Sequence, residues 1–500
     1  MASKAVAAPP PRARLLWLGA GLAAIAVLLV HLPAFAHRLL DGDEAVYGAI
    51  AALMNEGGTL YGDGGVDNKP PGIFWTYAVT FDLFGTYQMT AVHVVALVVT
   101  AATCVLLFVI GRSISSPRAG LLAATFYGLL TAMGNPRLLA ANTEVFMTLP
   151  LTAAFLLMLR RQWLWSGLLM VVAGAFKQVA AAEVLLLPVG LLVLQARGER
   201  AGAAVRFSAG ILIGLAAGAA ALLVTGSLGG FWRWTVETLA GYAAGNLSPA
   251  VLLVRSQSSL IPFVATAIVL WVAAGSIVAR WRSLWPAEKL AVAWLAVSLV
   301  GSLAGGHWSW HYFIQVMAPL ALLAGIAVDR ALGTRARRWI AAAVLIGVLL
   351  PAAGWTNFNF RADPLTYDWT PPIAQHEQVA EYVRTHTSSG DRVFVWGDWP
   401  ALYVESDRLM SGRFPGFLRG FARGSALPPN NWDTAPDVWP ALQSDLERHP
   451  PQLIVDTSTD DWSDFALYPM SNYPVLANLV ASSYHPVATI DGVVIYARNT

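Results

Sequence analysis

The residues of this 500-residue chain that could carry acid–base or phosphate chemistry are concentrated in residues 34–86, between two apolar runs. This loop begins with two adjacent carboxylates and a tyrosine, Asp43-Glu44-Ala-Val-Tyr47, and continues to Lys69-Pro-Pro. A carboxylate can act as a general base, and an ammonium can bind an anionic group through charge-assisted hydrogen bonds. The residue types are therefore candidates for acid–base chemistry and for anion binding.

A purely structural interpretation of the same residues stays open at this point. Asp41 or Asp43 can act as the N-cap of a helix over about 44–55, where a following acid is also favoured by the helix dipole. Lys69 can extend along a helix start towards the lipid headgroups. However, acids and a lysine bracket one loop, and this shared position favours a common function.

The composition places much of the chain in lipid. Apolar residues make up 56% and charged residues 12%, and the mean hydropathy is +0.55, whereas soluble domains have about 25% charged residues. These values exclude a disordered chain, a nucleic-acid-binding protein and a single soluble enzyme domain. The net charge of +2 hides a basic part, residues 1–356 with 23 Lys/Arg and 13 Asp/Glu, and an acidic part, residues 357–500 with 9 and 17.

The apolar runs predict about eleven membrane-spanning helices, since one span needs about 20 apolar residues. The predicted spans are 14–33, 87–111, 119–135, 143–159, 163–177, 180–196, 207–225, 259–279, 287–304, 312–328 and 339–356. With the N-terminus inside, the inner segments carry 17 Lys/Arg and the outer loops carry 6, which satisfies the positive-inside rule. This topology makes 1–356 a membrane domain with its site in outer loop 34–86, and places 357–500 outside the cell.

The external part is predicted to be a small α/β domain, because helical and strand patterns alternate along it. Helices are expected near 374–387, 437–449 and 474–483, and strands near 393–396, 453–455, 486–490 and 492–497. Its sequence contains no glycine-rich phosphate loop, no metal-ligand spacing and no nucleophile elbow. The only cysteine, Cys104, lies in an apolar run and is expected to serve packing alone.

Ionisable residues of the predicted spans collect at their outer ends. Charges inside a membrane are costly, so their position is informative. A transporter of lipid-linked sugars would place such residues, or Gly/Pro breaks, at matching midplane positions of two halves, and the sequence does not show them. The pattern instead predicts a site at the outer membrane–water interface, formed from Asp41, Asp43, Glu44, Lys69, Arg137, Glu144, Lys177, Glu183, Arg255, His307 and His311.

The order of these motifs resembles the GT-C glycosyltransferases, in particular the branch of protein O-mannosyltransferases and the lipid A aminoarabinose transferase. The resemblance covers nearly the whole chain. It is carried by Asp43-Glu44 with Tyr47, Met54 and Gly57, by Lys69-Pro70-Pro71 with Phe74-Trp75, by Arg137 and Asn142-Thr-Glu144-Val-Phe146, by Lys177-Gln178, by His311-Tyr312-Phe313 with Pro319, and by Val393-Phe-Val-Trp-Gly-Asp398.

The resemblance implies inverting transfer of a sugar from a polyprenyl-phosphate carrier to an acceptor on the outer face of the membrane. It assigns the catalytic position to Asp43, as the base, with Glu44 beside it, and it assigns phosphate binding to Lys69. Glu144 matches a second acidic position that binds either substrate hydroxyls or a metal. The family commonly has Asp there, and only some branches use metal. A divalent cation at Asp43 and Glu144 is thus the one candidate cofactor.

Residue types at the same membrane face supply the remaining candidates. Arg137, Lys177 and Arg255 are candidates for a second phosphate-binding cation, and Tyr47, Gln178, His311 and Tyr312 for substrate contacts. Structural alternatives accompany several of them. Lys177 and Glu183 can neutralise each other, and the tryptophans at 232, 234, 308 and 310 are typical interface anchors.

The sequence therefore predicts a multi-pass glycosyltransferase of the bacterial plasma membrane, with the N-terminus in the cytoplasm. Its partners would be a polyprenyl-phosphate sugar, a glycan, lipid or protein acceptor, and membrane lipids, but no nucleic acid. A protein O-mannosyltransferase acting on Ser/Thr is the alternative within the family. A lipid-linked-sugar transporter and a donor-binding protein without turnover are the alternatives of other classes.

Overall fold

The computed structural model describes residues 11–237, 248–367, 373–416, 438–459, 466 and 468–499. Its membrane part is helical throughout. The helices are α1 Pro11–His31, α2 Gly42–Asn55, α3 Gly72–Phe84, α4 Met89–Ile114, α5 Pro117–Leu130, α6 Thr143–Leu159, α7 Trp163–Gly174, α8 Leu186–Leu194, α9 Arg200–Val224, α10 Leu228–Phe231, α11 Pro249–Arg255, α12 Ile261–Thr266, α13 Ile268–Val278, α14 Pro286–Ala304, α15 Ile314–Leu332 and α16 Arg338–Arg361.

Every predicted span contains a helix, but fewer than eleven of these helices are long enough to cross a membrane unaided. Among the described residues, six are long and apolar enough, and a bent pair, Pro249–Thr266 with Ile268–Val278, would make a seventh. The spans at 143–159, 163–177 and 180–196 are shorter apolar helices. The polytopic helical fold is thus confirmed, while the number eleven stays a prediction.

One predicted span, 259–279, is wrong as a continuous helix. The chain bends by 72° between α12 and α13, at Ala267, whose φ of −102° and ψ of 15° are not helical. Phe263 and Trp271 pack edge to face across the bend, and Phe263 stacks on Phe313. The sequence around the break is apolar apart from Thr266, and Pro262 lies five residues before it.

Helix α15 lies at the centre of the membrane part, since 94% of its most apolar stretch of 18 residues is buried. Small residues allow other helices to approach closely. A Cβ at Gly167 would lie 2.2 Å from the carbonyl oxygen of Phe207, and one at Gly210 would lie 1.9 Å from that of Leu164. Helices α7 and α9 therefore touch backbone to backbone, as small residues permit in membranes.

The C-terminal part is the predicted α/β domain. A five-stranded sheet has the order β2-β1-β3-β5-β4, in which β1 is parallel to β2 and β3, and β5 is antiparallel to β3 and β4. Its elements are α17 Ile373–Thr385, β1 Arg392–Trp396, α18 Ala401–Ser406, β2 Leu409–Met410, α19 Val438–Arg448, β3 Leu453–Asp456, α20 Pro474–Ser483, β4 Tyr484–Ile490 and β5 Val493–Arg498.

The outer loop and the α/β domain pack against each other. The backbone N–H of Val66 donates to the carbonyl of Arg413 (3.0 Å), and the hydroxyl of Tyr87 donates to that of Arg408 (3.1 Å). Val66 itself belongs to the domain's apolar core. The division at 356/357 stays a prediction, and α16 runs across it to Arg361.

Candidate active site

Helix α2 begins after Asp41, whose two carboxylate oxygens both have partners. Asp41 is its N-cap, and Oδ1 accepts from the backbone N–H of Asp43 (3.2 Å). Oδ2 accepts from the amide of Asn142 (2.7 Å) and lies 3.2 Å from His311 Nδ1. Burial alone would raise the pKa of Asp41, but the charges of Arg137 and His311 outweigh it, and the pKa lies well below its ordinary value. The N-cap interpretation is confirmed for Asp41.

Asp43 lies in the first turn of α2, and its side chain keeps 21% of its surface exposed. Its Oδ2 accepts from the hydroxyl of Tyr47 (3.3 Å), which is one helical turn further on, and lies 3.9 Å from His311 Nε2. The Tyr47 ring is fully buried against Phe74 and Tyr77, at centroid distances of 5.7 Å. A rigid aromatic cluster therefore orients a carboxylate that can still be reached.

Glu44, the neighbour of Asp43 in the sequence, has a different environment. Its carboxylate is completely buried. It accepts from the backbone N–H groups of Leu40 (2.7 Å) and Ala141 (2.6 Å) and contacts His93 Nε2 (3.1 Å). These contacts join the start of α2 to the loop before α6 and to α4. A carboxylate surrounded in this way is suited to positioning.

The second half of the outer loop holds Lys69 in place through its backbone. Its carbonyl accepts from the hydroxyl groups of Tyr61 (2.7 Å) and Thr235 (3.4 Å). The residue is only 8% exposed, and its ammonium donates to the Asn68 side chain (3.2 Å). Gln178 donates to the Asn68 carbonyl (2.7 Å) and so supports this loop, while its predicted contact with substrate stays a prediction.

Lys177 is the second buried cation at this face. Its ammonium contacts Glu144 and lies 3.2 Å from the centroid of the Tyr312 ring. It also interacts electrostatically with Lys69 and Asp43. The structural alternative in which Lys177 and Glu183 neutralise each other is therefore wrong. Glu183 instead accepts from Ser298 (2.7 Å) and Gln315 (2.9 Å), because the 3-10 helix Gln178–Leu185 turns it towards α14 and α15.

His311 lies at the centre of the acidic residues. One ring nitrogen is 3.2 Å from Asp41, and the other is 3.9 Å from both Asp43 and Glu144. The structure thus brings together four sequence-predicted residues, His311, Asp41, Asp43 and Glu144, from three segments far apart in the chain. The guanidinium of Arg255 donates to the carbonyl of Gly306 (2.7 Å) and so fastens the loop that precedes His311.

The acidic residues do not fit a divalent cation in this arrangement. Among the residues that the structure describes, no group of three or more His, Cys, Asp or Glu side chains could hold a metal ion. The Lys177 ammonium already contacts the Glu144 carboxylate, and His311 lies between Glu144 and Asp43. An ammonium and an imidazole group thus occupy the surroundings of the two predicted ligands.

The tryptophans predicted as anchors differ in environment. Trp232 is 58% exposed, as expected for a lipid or interface contact, whereas Trp234 packs edge to face on Phe414 of the α/β domain. Sequence reasoning also missed Asn142, His93 and Tyr61 as supports of the site. Asn142 was visible only as part of a motif, and the other two had no local signal.

Comparison with known proteins agrees with this architecture. The family model described as dolichyl-phosphate-mannose-protein mannosyltransferase matches residues 68–223. No curated protein sequence matches the chain. The crystal structure of ArnT from Cupriavidus metallidurans bound to undecaprenyl phosphate superposes with a TM-score of 0.62 at 16% identity, over 95% of this chain and 96% of that one.

A second group of similar structures comes from Archaeoglobus fulgidus. Its oligosaccharyltransferase in the apo form has a TM-score of 0.56 at 10% identity, over 96% of this chain and 74% of that one. The complex of AglB with an inhibitory peptide and a dolichol-phosphate gives 0.53 at 9% identity, over 97% and 74%. The predicted GT-C fold, with its C-terminal sheet domain, is confirmed by these likenesses, and the family model supports glycosyl transfer as the general activity.

Proposed function

We propose that this GT-C-fold protein transfers a sugar from a polyprenyl-phosphate donor to an acceptor hydroxyl, with inversion, at the outer face of a bacterial plasma membrane. The observation that carries the proposal is the placement of Asp43. It is a partly exposed carboxylate on the same face as the buried ammonium groups of Lys69 and Lys177. Lys177 interacts electrostatically with both Asp43 and Lys69, so the carboxylate and the two ammonium groups lie near one another.

In the proposed reaction, the acceptor oxygen attacks the anomeric carbon while its proton passes to the Asp43 carboxylate. The bond between that carbon and the phosphate oxygen breaks, and the electron pair leaves with the polyprenyl phosphate. Since an ordinary Asp has a pKa of about 3.9, proton transfer occurs late, and orientation of the acceptor matters as much as basicity. The Tyr47 hydroxyl fixes the orientation of Asp43.

The leaving phosphate needs positive charge where its own charge develops. Lys69 is held by its backbone, and its ammonium, which donates to Asn68 and lies 3.9 Å from Asp67, is the group we assign to the phosphate. Lys177, with Tyr312 beneath it, supplies a second charge to the same region. Arg137 acts mainly through its interaction with Asp41, and we assign Asp41 and Glu44 to positioning the first turn of α2.

A protein acceptor is the second candidate within this function. It is favoured by the family model, whose description names protein mannosylation and which covers Lys69, Glu144 and Lys177. The similarity in fold to ArnT does not favour a particular acceptor. Transfer of a labelled sugar to a Ser/Thr peptide, compared with transfer to a glycolipid, separates the two acceptors.

The test is donor consumption by the purified full-length protein in nanodiscs. A panel of polyprenyl-phosphate sugars is offered, with an acceptor panel of peptides and glycolipids, and the released polyprenyl phosphate is measured by mass spectrometry. Wild type should release the carrier, Asp43→Asn should not, and Asp82→Asn, an exposed acid on α3, should behave as wild type. If no variant consumes any donor but donors raise the melting temperature, the protein is a binder and the proposal fails.

A further inference from the structure

A cavity of about 260 Å³ lies between the outer face of the membrane part and the α/β domain. Its walls include Tyr61 from the outer loop, Arg233 and Trp234 from the segment after α10, and Arg413 and Phe414 from the α/β domain. None of these residues belongs to the group around Asp43. Small-molecule sites commonly measure about 300–1,000 Å³, so this cavity suits one compact unit.

The wall of the cavity combines flat aromatic rings with guanidinium groups. Trp234 packs edge to face on Phe414, with 6.2 Å between the centroids, and the Arg233 guanidinium lies 4.8 Å from the Trp234 ring centroid. Arg413 is half-buried and oriented by Asp445, with bonds of 2.8 and 2.7 Å. Among the described residues that line the cavity, two are charged, and both are arginines.

These wall groups favour an anionic sugar. Arginine binds carboxylate and phosphate groups through charge-assisted hydrogen bonds. We assign this contact to Arg233, because the Nε and Nη2 groups of Arg413 already donate to Asp445. Indole and phenyl rings offer apolar faces on which the C–H side of a sugar ring can pack. Ligand sites usually combine such apolar walls with a few polar groups. Both elements are present within one small volume.

The cavity is coupled to the donor side of the site through Tyr61. One side of Tyr61 lines the cavity, and its hydroxyl donates to the carbonyl of Lys69 (2.7 Å). Gly230 packs directly on Tyr61, where an added Cβ would lie 2.6 Å from the Tyr61 Cβ. A ligand in the cavity therefore contacts the residue that supports the proposed phosphate-binding lysine.

We propose that this cavity is an acceptor subsite that binds one anionic sugar unit, bearing a carboxylate or a phosphate, next to the unit that receives the transferred sugar. The inference rests on the proposed glycosyl transfer. The lipid of the donor must lie in the membrane, whereas part of the cavity wall belongs to the α/β domain. We therefore assign the cavity to the acceptor.

The test measures binding of small probes to the full-length protein in nanodiscs by saturation-transfer NMR. The probes are methyl β-D-glucuronide, D-glucose 6-phosphate and the neutral methyl β-D-glucoside. At least one anionic probe should bind ~10-fold more tightly than the neutral one, as one charge-assisted contact provides. The better anionic probe identifies the charged group. Arg233→Gln should abolish this preference.

A cavity-filling variant keeps the walls intact. Gly229 lines the cavity, and an added Cβ there would meet no atom within 4 Å, so Gly229→Leu should fold normally and bind no probe. Trp232→Leu, at the exposed neighbour, is the matched control and should bind as wild type. Equal affinity for all three probes, or wild-type binding by Gly229→Leu, would overturn the proposal.

Donor turnover, measured separately, keeps the two proposals apart. A wild-type protein that consumes donor but binds no anionic sugar contradicts the subsite alone. A protein that binds the anionic probe in a Gly229-dependent way but consumes no donor contradicts the proposed function and shows a sugar-binding protein instead.

Discussion

Replacing Glu44 by glutamine tests whether two adjacent acids have separate tasks. The Glu44 carboxylate accepts from two backbone N–H groups, those of Leu40 and Ala141, through different oxygens. Glutamine has one acceptor oxygen, so one of these buried N–H groups must face an amide N–H instead. A hydrogen bond to a charged group contributes about 1.5–3 kcal/mol, and a buried donor without a partner costs about 1–3 kcal/mol. We therefore expect a loss of roughly 2–4 kcal/mol in stability.

The assay compares Glu44→Gln, Asp43→Asn and wild type in one detergent. Because membrane proteins of this size can unfold irreversibly, the apparent Tm is measured at one fixed heating rate. Glu44→Gln should lower the apparent Tm clearly, with turnover falling in consequence. Asp43→Asn should stop turnover with little change in Tm, since Asp43 is partly exposed and contacts mainly Tyr47. If Glu44→Gln stops turnover at an unchanged Tm, Glu44 acts chemically and the positioning argument is refuted.

Three further predictions concern other parts of the molecule. Lys177→Met should reduce turnover at least ~10-fold, because it removes positive charge near the leaving phosphate. A chelator should leave wild-type turnover unchanged, because the Lys177 ammonium already contacts Glu144. Inhibition by a chelator that is reversed by zinc or magnesium would contradict this. The pKa of Asp41 is lowered in the folded protein. Its carboxylate therefore stabilises the fold fully above the pKa of the unfolded chain, about 3.9, and this contribution is lost as the pH falls through the folded pKa. The difference in Tm between wild type and Asp41→Asn should be equal at pH 5 and pH 8, and a smaller difference at pH 5 would contradict this. Gly210→Leu should separate α7 from α9 and lower the Tm, while Gly218→Leu on the same helix, where a Cβ meets no atom within 4 Å, should not.

The sequence was sufficient for elements whose pattern is local. The strand at 393–396 and the helix at 474–483 are found within one residue of their predicted limits. Asp43 and Lys69 could be selected because the first outer loop has a specific motif. Their surroundings could not, because His311 reaches Asp41 across 270 positions in the chain, and spacing carries no information about such contacts.

Two errors have the same physical origin. Helical periodicity does not show which acid a lysine contacts in the folded chain. Lys177 contacts Glu144 rather than Glu183, because Glu183 lies in a 3-10 helix that turns it away. Likewise, the largely apolar residues around Ala267 do not indicate a bend at which Phe263 packs on Trp271 and Phe313.

The packing of the outer loop on the α/β domain has a consequence for biosynthesis. Val66 and Tyr87 leave the ribosome early, but their partners Arg413 and Arg408 are made more than 300 residues later. The loop that carries Asp43 therefore reaches its final contacts only after the last part of the chain has been made and has folded against it. A chain that ends before residue 408 can insert its helices but lacks the contacts that complete the loop. Such truncated chains should be membrane-inserted, protease-sensitive in the loop and inactive, and the loop cannot be grafted without its domain.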